Sequence, residues 1–169
     1  VLIGSYLSSG IDSSLVTTYA TKRIKNLNTF TCGFSINNSL HNKYNESIDS
    51  KLISEYLDTN HKEIVFDKND CKELNKLIYK IVEEPRLGVC LANLKISQLV
   101  KNYNKVVLSG AGGDELFGGY PWRYDSAFKS KTRDEFIVNY FKTNFRFNMN
   151  ELKFMFKPME KKIDINEVL

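Results

Sequence analysis

The stretch SSGIDSS, Ser8 to Ser14, stands between a short apolar run, Val1 to Leu7, and a segment in which Leu15, Val16, Tyr19, Ala20, Ile24 and Leu27 recur at helical spacing. That order spells strand, tight turn and helix. The small residues Ser8, Ser9 and Gly10 let the backbone approach a ligand closely, and Ser13 and Ser14 set hydroxyls where the first helical N–H groups lack an intrahelical partner. Such a turn suits a polyphosphate, although a Gly/Ser turn before a helix also serves simply as a cap. Asp12 adds a requirement. A carboxylate repels phosphate unless a cation sits between them, so a divalent metal is implied.

Outward from this turn the chain alternates. Asn28 to Phe34 (NTFTCGF) reads as a second strand, and residues 35–45 as a polar loop. Ile48, Leu52, Ile53, Tyr56 and Leu57 mark a helix, and His61 to Phe66 (HKEIVF) a third strand. Asp70 with Glu73 resembles a capping box opening a helix whose inward residues are Leu74, Leu77, Ile78, Ile81 and Val82, stopped by Glu84 and Pro85. Leu91, Leu94, Leu99, Val100 and Tyr103 mark a further helix, and Lys105 to Ser109 a short strand of the doubly covered kind. This alternation predicts an α/β fold, a doubly wound parallel sheet with helices on both faces. No internal repeat is evident. Beyond Tyr124 the aromatic spacing of Phe136, Ile137, Tyr140, Phe141 and Phe145, then Leu152, Met155 and Phe156 after Asn150, predicts helices packed through core aromatics. The expected organisation is a nucleotide-binding core over 1–124 and a truncated helical extension of the same domain over 125–169.

Size and composition bound the function. A chain of 169 residues with 42% hydrophobic residues supports one domain with a real core. The net charge of +4 is scattered, which excludes a nucleic-acid stripe. Cys32, Cys71 and Cys90 are odd in number and widely spaced, which fits reduced thiols. No run approaches the ~20 apolar residues of a membrane span and no leader opens the chain, so the expectation is a cytoplasmic protein with no membrane partner. The chain also opens inside an apparent core strand, as a piece of a longer protein would.

A second glycine-rich turn follows the fourth strand. GAGGDELFGGY, residues 110–120, holds five of the nine glycines and places Asp114 and Glu115 at the turn. In a doubly wound sheet, ligands sit outside the carboxyl ends of the strands where the winding reverses. If the strand at 105–109 returns beside the first strand, the two turns flank one crevice, and Asp12 and Asp114 can serve one Mg²⁺ as oxygen ligands alongside phosphate.

These residues resemble those of the glutamine-hydrolysing asparagine synthetase family, specifically its synthetase domain, within the SGGxDS-loop ATP pyrophosphatases of adenine nucleotide α-hydrolase-like fold. The match runs through SSGIDSS (8–14), TFTCGF (29–34), HKEIVF (61–66), Glu84–Pro85 and VVLSGAGGDELFGGYPWRY (106–124). The resemblance implies an ATP- and Mg²⁺-dependent ligase that adenylates a carboxylate, releases pyrophosphate and lets ammonia displace AMP. It implies that Leu7 and Cys32 line the adenosine, that the backbone at Ser109 and Gly110 holds the nucleotide, that Ser8, Gly10, Ser13 and Ser14 hold pyrophosphate, with Ser9 in the same ATP-binding turn, and that Asp12 and Asp114 bind Mg²⁺. Its partners would be the carboxylate acceptor, ammonia and an amino-terminal glutaminase domain of the parent chain.

Three departures bear on activity. Ser9 stands where the family has glycine, so a side chain there is expected to narrow the approach or demand an unusual backbone angle. Ala111 stands where the family places a glutamate that supports aspartyl adenylate formation, so no residue of this chain is assigned as catalytic. The glutaminase domain and the family's downstream pyrophosphate-binding basic residues lie outside this sequence. Two alternatives stay open: a family relative that forms a lactam or other amide with a different nucleophile, and a catalytically silent nucleotide-binding module.

Overall fold

The computed structural model describes residues 1–35, 45–83, 89–144, 150, 151, 154 and 157. The expected polar loop lies mostly outside these residues, as do Glu84, Pro85, Phe145, Leu152, Met155, Phe156 and the last nine positions. The chain forms two compact units, Val1–Gly113 and Asp114–Leu169.

The first unit is built on four parallel strands, β1 (Ile3–Tyr6), β2 (Asn28–Phe34), β3 (Asn60–Phe66) and β4 (Val106–Leu108), in the order β3-β2-β1-β4. Helix α1 (Ile11–Thr21) links β1 to β2, and α2 (Ser47–Tyr56) links β2 to β3. The return from β3 to β4 runs through α3 (Lys68–Val82) and α4 (Val89–Val100). Gly4 pairs with both Asn28 and Val107, so β4 does come back to the side of β1 that β2 leaves free. The winding therefore reverses between β1 and β4.

Register assigns the two faces of the sheet. Ser5, Thr29 and His61 align across β1, β2 and β3 and share one face. Ser5 Oγ meets Thr17 Oγ1 of α1 at 2.9 Å, and Thr29 Oγ1 reaches Thr59 Oγ1, which reaches Ser54 Oγ of α2. Both helices thus cover this face, and they do so through hydroxyls. The opposite face is hydrocarbon: Phe30, Ile96 and Val100 are buried together with Tyr6, Cys32, Ile64, Leu99 and Val107 packed around them, and a second cluster joins Leu74, Ile78 and Leu91. Asn104 accepts from Asn28 Nδ2 at 2.8 Å beside the start of β1, which puts the carboxyl end of α4 at the bottom of the sheet and its amino end at the top.

Three expectations need correction. Much of the apolar stripe of α1 and α2 does not face the sheet: besides Ala20 the buried residues are Ser13 and Thr17, and Ser47, Ser50 and Ser54, while Leu15, Tyr19, Ile48, Leu52 and Tyr56 are exposed. Short side chains let each helix lie close to a sheet whose own residues there are Ser, Thr and Gly, and larger ones have no room. In α3 only Leu74 and Ile78 are buried, with Leu77, Ile81 and Val82 outside. The capping box is also one turn earlier than expected. Asp67 is the cap, accepting from Asn69 N and Asp70 N, and Asp70 is the reciprocal residue, accepting from Asp67 N at 2.8 Å. Helix α3 ends with Glu83 in the left-handed region at φ 58°.

The second unit carries α5 (Gly113–Phe117, whose first residue closes the first unit), α6 (Pro121–Phe128) and α7 (Arg133–Asn144). Proline at the first position suits the start of α6, where its missing N–H has no intrahelical role. Tyr124 stacks on Tyr140 with ring centroids 5.7 Å apart, Phe136 stacks on Tyr140, and Phe128 meets Phe136 edge-on. The aromatic residues read at helical spacing do meet ring to ring, but Ile137 and Phe141 are exposed and Phe136 and Tyr140 only half-buried, so they do not form the core expected; Ala127 is the buried residue among those described in this unit.

Candidate nucleotide site

The site is assembled at the top of β1 and β4. The turn after β1 is tied to itself by serines: Ser8 N donates to Ser13 Oγ at 3.1 Å, Ser8 Oγ lies 2.8 Å from Ser13 Oγ, Gly10 N donates to Ser8 Oγ, and Ser14 Oγ donates to Gly10 O at 2.8 Å. The hydroxyls of Ser13 and Ser14 thus hold the turn in shape. Helix α1 opens at Gly10 with no side-chain cap, so the turn leaves its first N–H groups for an external acceptor. Ser9 is absent from the described non-glycine residues with positive φ, which are Asn26, Asp58 and Glu83. The unusual backbone angle expected at Ser9 is not needed, and the turn accommodates a side chain there in ordinary conformation.

The loop after β4 closes on this turn from the other side. A Cβ at Gly110 would stand 2.5 Å from Ser13 N and 2.9 Å from the Asp12 carbonyl carbon. A Cβ at Gly113 would stand within 2.6 Å of both Asp12 carboxylate oxygens. Only glycine fits at either position, and the two turns meet at the switch point as the sequence predicted. Gly112 takes φ +97° with open space around it, so its requirement is backbone angle alone. Ala111 is exposed, its N–H bonded to Ser109 Oγ at 3.1 Å.

Leu7 is 2% exposed, its side chain turned inward; its N–H donates to Phe30 O and its carbonyl accepts from Thr31 Oγ1. Cys32 is half-buried, and burial pushes its thiol up to about 11, with Lys95 acting in the opposite direction. A protonated thiol is a small, weakly polar surface. Lys95 itself escaped pattern reading because it sits between Leu94 and Ile96 in an apolar helix. It is half-buried on the upper part of α4 and ion-paired with Asp70, whose carboxyl it holds below the usual range with help from Asp67 N–H. Ser97 Oγ, two residues on, lies 3.3 Å from Tyr6 OH at the end of β1.

In the second unit, Asp114 turns its carboxylate against Gly119, where a Cβ cannot fit, and Gly119 N donates to Asp114 O at 2.9 Å. Tyr120 OH donates to Glu115 at 2.8 Å, which lowers the carboxyl and raises the phenol, and Arg123 lies 4.1 Å over the Tyr120 ring. Among the described residues no group of three or more His, Cys, Asp or Glu side chains is arranged to hold a metal ion.

Glycine-rich loops that meet at the switch point of a parallel sheet define a doubly wound α/β protein with its ligand crevice at the strand carboxyl ends. Comparison with known proteins then narrows the class. Residues 1–162 match the family model described as asparagine synthase, and the chain belongs to that family. Among its relatives, a protein of Methanocaldococcus jannaschii provisionally named asparagine synthetase (glutamine-hydrolysing) 2 is 35% identical over 71% of this chain and 23% of its own length. Asparagine synthetase (glutamine-hydrolysing) 1 of Bacillus subtilis is 30% identical over 71% of this chain and 18% of its own. The chain thus spans about a fifth of the curated relatives it matches. A solved structure described as a predicted subunit of a tRNA methyltransferase from Methanocaldococcus jannaschii superposes with a TM-score of 0.43 and 16% identity, covering 92% of this chain and 74% of that one. Among the described residues no helix is long and apolar enough to cross a membrane.

Proposed function

We infer that this chain is the ATP-binding core of an amide-forming ligase that activates a carboxylate by adenylation. A carboxylate oxygen attacks the α-phosphorus of ATP, the α–β bond breaks with release of pyrophosphate, and ammonia then attacks the acyl carbon and expels AMP. The observation that carries the reading is the contact of Gly110 and Gly113 with the first turn of α1, which leaves two loops of backbone donors facing one mouth. Adenylyl transfer depends chiefly on positioning and charge neutralisation, which such donors supply. In this reading the uncapped N–H groups of α1, with Ser8 and Ser9, receive the phosphates, Ser109 and Gly110 hold the nucleotide through backbone, and Cys32 lies along the adenosine. Asp12 and Asp114 would hold Mg²⁺, which would supply charge neutralisation to the phosphates; for Asp12, support comes from the Gly113 backbone lying against its carboxylate. Ammonia would come from glutamine through a further domain of the parent; the relatives are named as glutamine-hydrolysing enzymes.

The test is calorimetric titration of the 169-residue chain with ATP in the presence and absence of Mg²⁺. The reading expects binding that requires the metal and is lost in Asp12→Asn and in Asp114→Asn. Metal-independent binding that survives both substitutions would overturn it. A second reading rests on Ala111, whose exposed methyl occupies the place of an acid in the family: the acceptor or the nucleophile differs from that of an asparagine synthetase, or the chain binds without turnover. Pyrophosphate–ATP exchange with aspartate as acceptor separates the two, since an asparagine-forming enzyme exchanges label and a binding module does not.

A further inference from the structure

Helix α4 reads VCLANLKISQLV, and Asn93 interrupts its apolar first half at an interior position, where asparagine is among the weaker helix formers. Asn93, Ile96, Ser97 and Val100 fall at i, i+3, i+4 and i+7, which puts them on one stripe of the helix. Ile96 and Val100 are buried with Phe30 of β2. Ser97 meets β1, its Oγ 3.3 Å from Tyr6 OH. The stripe therefore faces β1 and β2, and Asn93 continues it by one turn, about 5.4 Å, toward the amino end of the helix. That end is the upper one. Asn93 thus overhangs the sheet where the strands stop, and it is exposed although it shares a stripe with core residues.

Hydroxyls fix this residue relative to the crevice. Ser97 Oγ donates to Asn93 O at 2.7 Å, so its proton is committed and Tyr6 OH is the donor in the 3.3 Å contact. The relay ties the Asn93 backbone to the last residue of β1. On β2, Leu7 N donates to Phe30 O and Thr31 Oγ1 donates to Leu7 O, so Cys32 stands level with the Ser8 turn. Cys32 shares the hydrocarbon face with Phe30 and lies about 6.6 Å further up the strand. Asn93 and Cys32 thus border the mouth from α4 and from β2, and among the described residues the Asn93 amide has no hydrogen-bond partner.

We propose that Asn93 reads the base of the nucleotide, its Oδ1 accepting from the 6-amino group of a purine and its Nδ2 donating to the neighbouring ring nitrogen. This rests on the nucleotide reading above, in which the first N–H groups of α1 receive the phosphates and Cys32 lies along the adenosine. Helices α1 and α4 cover opposite faces of the sheet, so a nucleotide whose phosphates sit on α1 and whose sugar crosses the strand ends lays its base toward α4. A carboxamide sets an acceptor beside a donor, which complements the amino group and ring nitrogen of adenine. A 6-oxopurine presents two acceptors at the same edge and satisfies one half of the amide.

Calorimetric titration of the 169-residue chain with ATP, with ITP and with inorganic tripolyphosphate, each in the presence of Mg²⁺, tests this. The unaltered chain is expected to bind ATP about tenfold or more tighter than ITP. Asn93→Ala is expected to bring the two within about twofold of each other and to leave tripolyphosphate affinity unchanged. Position 93 is exposed and alanine favours a helix interior, so the variant should retain the fold. An ATP-to-ITP ratio that Asn93→Ala leaves intact overturns the assignment of Asn93 while the nucleotide reading stands, as does an unaltered chain that binds ATP and ITP alike. An equal loss of affinity for all three ligands also overturns it, since that marks a structural effect of the substitution. Absence of ATP binding by the unaltered chain overturns the nucleotide reading itself, and the base contact with it.

Discussion

At the scale of single residues, Gly113 and Gly110 make separate predictions. Gly113→Ala forces a methyl onto the Asp12 carboxylate, so it is expected to cut Mg²⁺-dependent ATP affinity with a small change in melting temperature, measured by calorimetry and thermal denaturation. Gly110→Ala meets backbone instead, and an overpacked contact of that kind is expected to cost about 1–3 kcal/mol in a denaturant titration. His61 predicts a pH dependence. Its Nδ1 lies 3.0 Å from Thr29 Oγ1, its Nε2 is buried with no partner among the described residues, and burial holds its pKa below the ordinary 6.5. On acidification the unfolded chain takes up this proton first, so stability is full above pH 6.5 and falls as the pH drops toward the folded value. His61→Gln should flatten that slope. Cys32, raised to about 11, stays a thiol at pH 8, and mass spectrometry after brief iodoacetamide treatment should find exposed Cys71 modified and Cys32 spared. The glycines and Asp12 were legible in the sequence because their types are rare and their spacing is fixed. The burial of Leu7 and the pairing of Lys95 with Asp70 were not, since both depend on contacts between residues far apart in the chain.

At the scale of elements, the four strands and the helices α1 to α4 and α7 were legible, whereas α5, α6 and the helix faces were not. Apolar periodicity says which side of a helix is hydrocarbon, and in α1 and α2 that side looks outward because the sheet beneath presents Ser5, Thr29 and Thr31, with Gly33 crowded by Glu63 and Ser47. Hydroxyl pairs such as Ser5 with Thr17 replace the usual aliphatic contact there. The start of α3 was misplaced by three residues for a related reason, as Asp67 and Asp70 are both acceptable caps and only the reciprocal bonds identify the pair. Removing the cap by Asp67→Ala should cost about 1 kcal/mol in chemical denaturation.

At the scale of the whole chain, the alternation of strands and helices was enough to predict a parallel sheet and the return of β4 to β1, since few topologies satisfy right-handed crossovers and short connections. The two units differ in what holds them. The first buries two hydrocarbon clusters and a hydroxyl layer, whereas in the second exposed and half-buried aromatics meet ring to ring and Ala127 is the buried residue among those described. Hydrogen exchange followed by mass spectrometry is expected to show slow exchange across β1 and β2 and fast exchange in α6 and α7, with unfolding that departs from a single transition.

The pairing of β1 with β4 has a consequence for biosynthesis. β1, β2 and β3 can associate as soon as residue 66 has left the ribosome, but the strand that walls the other side of the mouth begins at residue 106. A nascent chain therefore acquires most of its sheet while the pocket is still open on one flank. In the proposed reading ATP would stabilise the finished product, but it could not guide the early steps of its own binding site's formation.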